Sequence, residues 1–291
     1  MLLCSNIFLI LFSRPFLAII SEVRETAYQD IFFAGVEIKE VDNEYVMVGN
    51  FIKETQYKVV TTVQEGVLAS TPADVPTAPY SRFIVFLKNH RMVLVRNETA
   101  SPDTRSFQST VRDILNQYVR NANRERSERD KLPIAIANIV DIPLKDSIAD
   151  VLKNVNKVSW FKLRFFPLNN DLDPGPLTQH IREDMKKVGS KTTNIVFNSP
   201  NSKDGISKMI AESSGLAVAS LQIVDNTGEK RRVKEGSFSS TIKIEYEGNI
   251  RPHGDEYLII QAKKDGIISN VSPENERLYE QEKEHLKALM S

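Results

Sequence analysis

The chain has 291 residues, of which 41% are apolar and 26% charged, so it can bury a core and does not have the composition of a disordered protein. Its 38 basic residues balance 38 acidic ones, so the net charge does not by itself indicate a nucleic-acid partner. The single cysteine, Cys4, excludes a disulfide within one chain and a thiolate metal site, which favours the cytoplasm over an oxidising compartment.

The N-terminal stretch, residues 1–20, is apolar, but Arg14 and Pro15 interrupt it and no basic residues open it. No clear cleavage site follows, and the stretch is shorter than an uninterrupted membrane span. Three interpretations stay open: a buried strand or helix, a targeting or membrane segment, and a wrongly chosen start codon. A cytoplasmic location is predicted, with membrane attachment or export as the alternatives.

The first predicted domain, residues 1–131, is rich in strands. Residues 31–64 are dense in Val, Ile, Phe, Tyr and Thr, which are typical of β-structure. Residues 70–79 are predicted to form a proline-rich loop, and residues 82–97 a β-hairpin that turns near Asn89 and His90. After Pro102, apolar residues recur at helical spacing, which predicts a helix that ends in the mixed charges of residues 120–131.

The second predicted domain, residues 132–250, alternates strands and helices. Strands are predicted at 134–144, 158–166, 194–199, 216–225 and 237–247, and helices at 145–155, after Pro174 and after the N-cap Ser202. Residues 251–291 are predicted to form a strand and then a helix that begins at Ser272 and Pro273. These elements predict an α+β fold with mixed sheets, packed helices and two subdomains.

The strand at 158–166 carries the first sign of function. Successive side chains of a strand point to opposite faces, so Phe161, Leu163 and Phe165 form one apolar face that suits a core. The other face carries two cations between two aromatics, namely Trp160, Lys162, Arg164 and Phe166. Cations and aromatic rings on one sheet face are suited to nucleic-acid binding, although a helix that covers the ring would give it a structural role instead.

Two further basic clusters lie in the same half of the chain. One is the stretch after the predicted helix, with Lys186, Lys187 and Lys191; the other is the predicted hairpin loop, with Lys230, Arg231, Arg232 and Lys234. A basic hairpin tip can press on phosphates without reading bases. These clusters and the strand face together make up the predicted nucleic-acid-binding site.

The residues of the chain offer little catalytic chemistry. The four histidines are scattered without the spacing of metal ligands, and the chain has no nucleophile elbow, phosphate-binding loop or dinucleotide fingerprint. The stretch "GDEYLIIQAKKDG", a predicted strand, resembles the Gln-x-Lys half of the Mrr-like restriction nucleases through Gln261 and Lys263. That family also has an acid about a dozen residues upstream in a glycine-rich turn, and this chain lacks that context.

The order of features in residues 134–245 resembles the RexA-like phage exclusion proteins. The matching stretches are "ANIVDIPL", "DSIADVLKNV", "WFKLRFFPL", "IREDMKKVGSKTTNIVFNSP" and "LAVASLQIVDNTGEK", and the hairpin "RFIVFLKNHRMVLV" adds to them. RexA-like proteins are in turn similar to the RdgC-type DNA-binding proteins. The resemblance implies a homodimer that binds duplex DNA with little sequence preference and acts in phage exclusion.

The preferred interpretation is a non-catalytic, sequence-independent nucleic-acid-binding protein that acts on duplex DNA in anti-phage defence. No catalytic residue, metal or cofactor is predicted, and a second defence-system protein is a further expected partner. Two alternatives remain: a magnesium-dependent nuclease that uses Gln261 and Lys263, and a protein-interaction subunit without nucleic-acid contact.

Overall fold

The computed structural model describes residues 30–64, 66–132, 134, 139, 142–143, 145–166, 175–213, 215–234, 237–238, 253–264 and 271–290. The N-terminal residues 1–20, most of the predicted strand at 134–144 and most of that at 237–247 lie outside these residues. The chain forms two compact units, one of Met1–Ile139 with Arg251–Ser291 and one of Val140–Ile250. Among the described helices, none is both long enough and apolar enough to cross a bilayer.

In chain order the described elements of the first part are β1 (Ile31–Val41), β2 (Glu44–Lys53), β3 (Thr55–Gln64), β4 (Val67–Thr77), β5 (Tyr80–Phe86), β6 (Arg91–Arg96) and α1 (Thr104–Ala122). Those of the second part are α2 (Lys145–Lys153), β7 (Val155–Phe165), α3 (Gly175–Lys187), β8 (Thr193–Asn198), α4 (Lys203–Glu212), β9 (Ala217–Asp225) and β10 (Lys230–Val233). The last two are α5 (His253–Lys264) and α6 (Pro273–Leu289). The predicted α+β class is confirmed, and the described strands pair antiparallel instead of forming the expected mixed sheets.

The first unit contains a four-stranded sheet in the order β1-β2-β5-β6. Asp42 and Asn43, both with positive φ, form the turn between β1 and β2, because short polar side chains tolerate the left-handed region that tight hairpins need. The hairpin predicted at 82–97 is confirmed, since β5 and β6 pair on either side of residues 87–90.

Aromatic rings fill the core of this unit. Phe33, Phe51 and Phe83 from the sheet surround Phe107 of α1, with ring centroids 4.9 to 5.4 Å apart and mostly edge-to-face. Gly49 makes room for them, since a Cβ there would lie 2.6 Å from the Phe83 ring. The helix predicted after Pro102 is therefore confirmed, with Asp103 as its N-cap.

The C-terminal helix α6 begins as predicted, with Ser272 as N-cap and Pro273 in the first turn. Its Tyr279 is buried in the first unit, and the hydroxyl oxygen accepts a hydrogen bond of 2.7 Å from the backbone N–H of Tyr45. Burial raises the pKa of Tyr279 to about 12, although this hydrogen bond acts in the opposite direction.

Tyr279→Phe should lower the free energy of unfolding of the first unit by about 1–2 kcal/mol, because a buried N–H loses its acceptor while the ring is kept. Urea unfolding followed by circular dichroism measures this loss. An unchanged midpoint would mean that the hydrogen bond contributes nothing.

Residues 253–264 contradict the sequence-based prediction of a strand, because they form helix α5. Asp255, Leu258 and Ile259 are all buried, and their spacing places them on one helix face. The Leu-Ile-Ile run looked like a buried strand because short apolar runs do not distinguish the two structures. The expected strand-end position of Gln261 and Lys263 was therefore wrong.

Asp255 holds a buried ion cluster against the sheet of the first unit. Arg82 donates to both of its carboxylate oxygens, with Nε–Oδ1 at 2.8 Å and Nη2–Oδ2 at 2.6 Å, and Lys39 Nζ donates to Oδ2 at 2.8 Å. Burial alone would raise the pKa of Asp255, but the hydrogen bonds from Arg82 and Lys39 outweigh burial and hold it below the usual value. The cluster therefore ties α5 to β1 and β5.

Strands β3 and β4 form a separate two-stranded ribbon, which replaces the predicted proline-rich loop at 70–79. Proline is tolerated there because each strand of a two-stranded ribbon has a free edge. Tyr57 and Val75 pair directly, and Val63 lies on the same face by alternation. All three side chains are largely exposed, so the ribbon presents an apolar face.

The second unit has a four-stranded sheet in the order β10-β9-β7-β8. Buried residues from the three described helices of this unit join the core on one side of the sheet: Ile148 and Leu152 of α2, Met185 of α3, and Ile206 and Ile210 of α4. The helices predicted at 145–155, after Pro174 and after Ser202 are confirmed, as are the strands at 194–199 and 216–225.

Candidate nucleic-acid interface

Strand β7 divides its side chains as predicted. Phe161, Leu163 and Phe165 are buried in the core of the second unit. On the opposite side, Trp160 and Lys162 are half-buried and Arg164 is exposed. We call this side of the β10-β9-β7-β8 sheet the open face.

Cross-strand pairs define which residues share the open face, because directly opposed residues of antiparallel strands point the same way. Trp160 pairs with Gln222 of β9, which in turn pairs with Arg232 of β10, and on the other side Trp160 pairs with Asn198 of β8. The next rows along β7 hold Lys162 between Ser220 and Val196, and Arg164 between Val218 and Asn194. Amide side chains therefore flank Trp160 on both sides and Arg164 on one side.

Lys157 is a further cation of the open face, and the sequence reasoning missed it. Strict alternation from Phe161 would turn Lys157 into the core, but the register of β7 shifts between Val158 and Trp160. The extra residue of this irregularity, Ser159, reverses the alternation, so Val158 is buried and Lys157 is exposed opposite Val224. The apolar Val158, two residues before Trp160, was the signal of the irregularity in the sequence.

The cluster at 230–234 was predicted to be a hairpin loop, and this was wrong for most of it. Residues 230–233 form strand β10, and the turn comes earlier, at residues 226–229. Asp225 closes that turn by accepting hydrogen bonds from Thr227 and Glu229, and Gly228 supplies the positive φ. The hydroxyl of Thr227 is the main reason that the pKa of Asp225 lies below its usual value.

The strand conformation separates the cations of this cluster. Lys230 pairs with Val224 and Arg232 with Gln222, so both belong to the open face. Arg231 pairs with Ile223, whose side chain is buried, so the exposed Arg231 belongs to the core side of the sheet. Lys234 follows the strand and is exposed.

Two guanidinium groups lie over the aromatic rings of the open face. The Arg232 Cζ atom is 5.5 Å from the centroid of the Trp160 ring, and the Arg164 Cζ atom is 5.0 Å from that of Phe166. Cation–π attraction holds such pairs, and the weak hydration of guanidinium favours them. The aromatic rings are thus already arranged beside positive charge in the free protein.

The open face is strongly positive although the chain as a whole is neutral. Its described strand positions carry five cations and no acid; the cations are Lys157, Lys162, Arg164, Lys230 and Arg232. Charges of one sign on one surface produce a local field that attracts anions whatever the net charge.

The third basic cluster lies elsewhere. Lys186 and Lys187 end helix α3, whose Met185 packs in the core, so these two lysines are on the core side of the sheet and not on the open face. Lys187 also forms an ion pair of 3.0 Å with Asp184. Lys191 is exposed in the connection from α3 to β8, beyond the end of the sheet. Lys186 and Lys187 therefore do not share the open face with Trp160, Lys162 and Arg164.

The residues of the nuclease alternative lie in the first unit. Lys263 Nζ lies 3.0 Å from Glu44 Oε2 and 3.6 Å from Asp42 Oδ2, and its side chain is only partly exposed. Within the described ranges, no group of three or more His, Cys, Asp and Glu side chains could hold a metal ion. The geometry around Lys263 is that of a structural ion pair between α5 and the β1–β2 turn.

No protein-family model, curated protein or solved structure matches this chain. The resemblance to the RexA-like and RdgC-type proteins therefore stays a prediction from the sequence.

Proposed function

We propose that the protein binds nucleic acid without sequence preference, through the open face of its second unit and without catalysis. The observation that supports this proposal is the set of five cations, unopposed by any acid at the described positions of the face. Phosphate contacts of this kind supply most of non-specific binding. A role in phage exclusion or another anti-phage defence, as a homodimer, completes the proposal and rests on the sequence resemblance. The proposed cytoplasmic location rests on the single cysteine.

A mobility-shift titration across salt concentrations, with and without magnesium, tests the proposal. If all five cations contact phosphates, the slope of log affinity against log salt should be about −3 to −5, since each contact contributes about −0.7 on single strands and −0.9 on duplex. An affinity that does not change with salt concentration, or no binding at low salt, would contradict the proposal.

The same titration addresses the nuclease alternative. We expect no cleavage with magnesium, because Lys263 is engaged with Glu44 and lies on a helix. Reproducible magnesium-dependent nicking that Lys263→Ala abolishes, in a variant that still folds, would overturn the non-catalytic proposal.

The ribbon supports a second candidate function, protein interaction. A two-stranded ribbon has little stability in water by itself, and Tyr57, Val63 and Val75 expose an apolar face that a partner would bury. These side chains carry no charge. The directly opposed Lys58 and Asp74, which have opposite charges, lie on the other face of the ribbon. An uncharged face does not repel its own copy, so we take a second copy of this chain as the partner, in a two-fold arrangement of the two ribbons.

The double variant Val63→Lys with Val75→Lys should convert a dimer into a monomer, because it introduces like charges into both copies of the shared face. The matched control is Gln56→Lys with Val67→Lys, which adds the same charge on the opposite face of the ribbon. Light scattering after size-exclusion chromatography at micromolar concentration measures the mass. A monomeric parent, or a dimer that survives the first double variant, would contradict this interface.

A further inference from the structure

The open face has a shape that distinguishes among nucleic acids. Its four described strands, spaced about 4.8 Å apart, make a surface about 14 Å wide before side chains are added. The major groove of duplex DNA is about 12 Å wide and admits a helix or a two-stranded ribbon. A four-stranded face therefore meets a duplex only from outside, where phosphates are reachable and bases are not.

The centre of the face, in contrast, carries groups that interact with bases. Trp160 lies between Gln222 and Asn198, and every base has a π-face that an indole ring can stack on. The amides of Gln222, Asn198 and Asn194 offer donors and acceptors for base edges. Against a duplex, whose bases are stacked inside, these groups would have no partners.

The cations surround this centre on several sides. Lys162 and Arg164 continue along β7, while Lys157 and Lys230 occupy the row on the other side of Trp160. Phe166 lies six residues from Trp160, about 20 Å along an extended strand. A chain of several nucleotides can thus contact both aromatic rings while its phosphates meet the lysines and arginines.

From these observations we infer that the ligand of the open face is single-stranded nucleic acid, with one base stacked on Trp160. Arg232 covers the ring in the free protein, and its guanidinium moves to a phosphate when a base takes its place. The inference rests on the proposed function and specifies its substrate class.

Trp160, on which the base is inferred to stack, is the one tryptophan of the chain. Its fluorescence therefore reports on the open face without labelling and without a variant. The probe is an oligothymidylate of about 20 nucleotides, longer than the sites of about 4–16 nucleotides that single sheet domains cover, compared with a duplex of equal length. Mobility shift under the same conditions measures binding independently of the fluorescence.

We expect the single strand to quench the Trp160 emission with the same midpoint as the mobility shift, and to bind more tightly than the duplex. Trp160→Ala should weaken single-strand binding by about 5- to 150-fold and leave duplex binding nearly unchanged. Trp160→Phe, which keeps a ring for stacking, should lose less single-strand affinity than Trp160→Ala.

The outcomes separate this inference from the proposed function. Base stacking would be overturned if a nucleic acid binds without changing the Trp160 emission and Trp160→Ala binds it as tightly as the parent. The open face would then still be a phosphate-binding surface. Tighter binding to the duplex than to the single strand would overturn the substrate class. If neither probe binds at low salt, both the proposed function and this inference fail.

Discussion

Replacing Lys162 and Arg164 together by alanine should weaken nucleic-acid binding about 20- to 60-fold at 0.1 M salt. Each lost phosphate contact removes about 0.7 log unit on single strands and 0.9 on duplex at that concentration. The salt slope should flatten by about one to two units, and all sequences should lose affinity alike. Both residues point away from the core, so the fold should tolerate the change.

Two matched controls make this result specific to the open face. Lys186→Ala with Lys187→Ala removes the same charge from helix α3, on the core side of the sheet, and should leave the salt slope nearly unchanged. The second control compares adjacent residues of β10: Arg232→Ala should weaken binding, whereas Arg231→Ala should have little effect. Equal losses per removed charge in all four variants would mean that a diffuse field, and not the open face, attracts the ligand.

Asp255→Asn should lower the free energy of unfolding of the first unit by about 3 kcal/mol. The change removes the carboxylate that Arg82, whose side chain is 12% exposed, contacts at 2.6 Å, and leaves it the more distant Glu37 at 3.9 Å. Breaking one member of a buried ion pair is costly. Lys39 is more exposed and keeps its ion pair of 3.0 Å with Glu37, so we expect a loss at the lower end of the about 3–5 kcal/mol that breaking a buried ion pair costs. Glu256→Gln, at the exposed neighbouring position, should cost less than about 0.5 kcal/mol.

Urea unfolding with two signals measures this effect. Circular dichroism follows the whole chain, while the fluorescence of Trp160 follows only the second unit, so the fluorescence midpoint should stay unchanged in Asp255→Asn. Equal shifts of both signals would mean that the two units unfold together. A parent-like dichroism curve would contradict the stabilising role of the cluster.

The difference in unfolding free energy between the parent and Asp255→Asn should depend on pH. Because the pKa of Asp255 is lowered in the folded chain, its contribution is fully present above the ordinary carboxyl value of about 4. That contribution is lost as the pH falls through the lower value of the folded state. The difference between the parent and Asp255→Asn should therefore shrink below about pH 4 and stay constant from pH 5 to 8.

Local sequence patterns were sufficient to predict many of the helices and strands. The alternation from Trp160 to Phe165 identified the buried and open sides of β7, because side-chain direction in a strand has a period of two residues. Ser202 and Ser272 marked helix starts, since an N-cap side chain bonds to a backbone N–H within the same turn. The α+β class followed from the same local periods.

The tertiary structure decided what depends on partner strands. The register shift that turns Lys157 outward exists only because β7 pairs with β9, and the pairing of β10 with β9 sends Arg231 and Arg232 to opposite sides. The rows that place Gln222 and Asn198 beside Trp160 join residues far apart in sequence. Helix α5 is held in place by the contacts of Asp255 with Arg82 and Lys39 across the fold, and a short apolar run carries no information about such contacts.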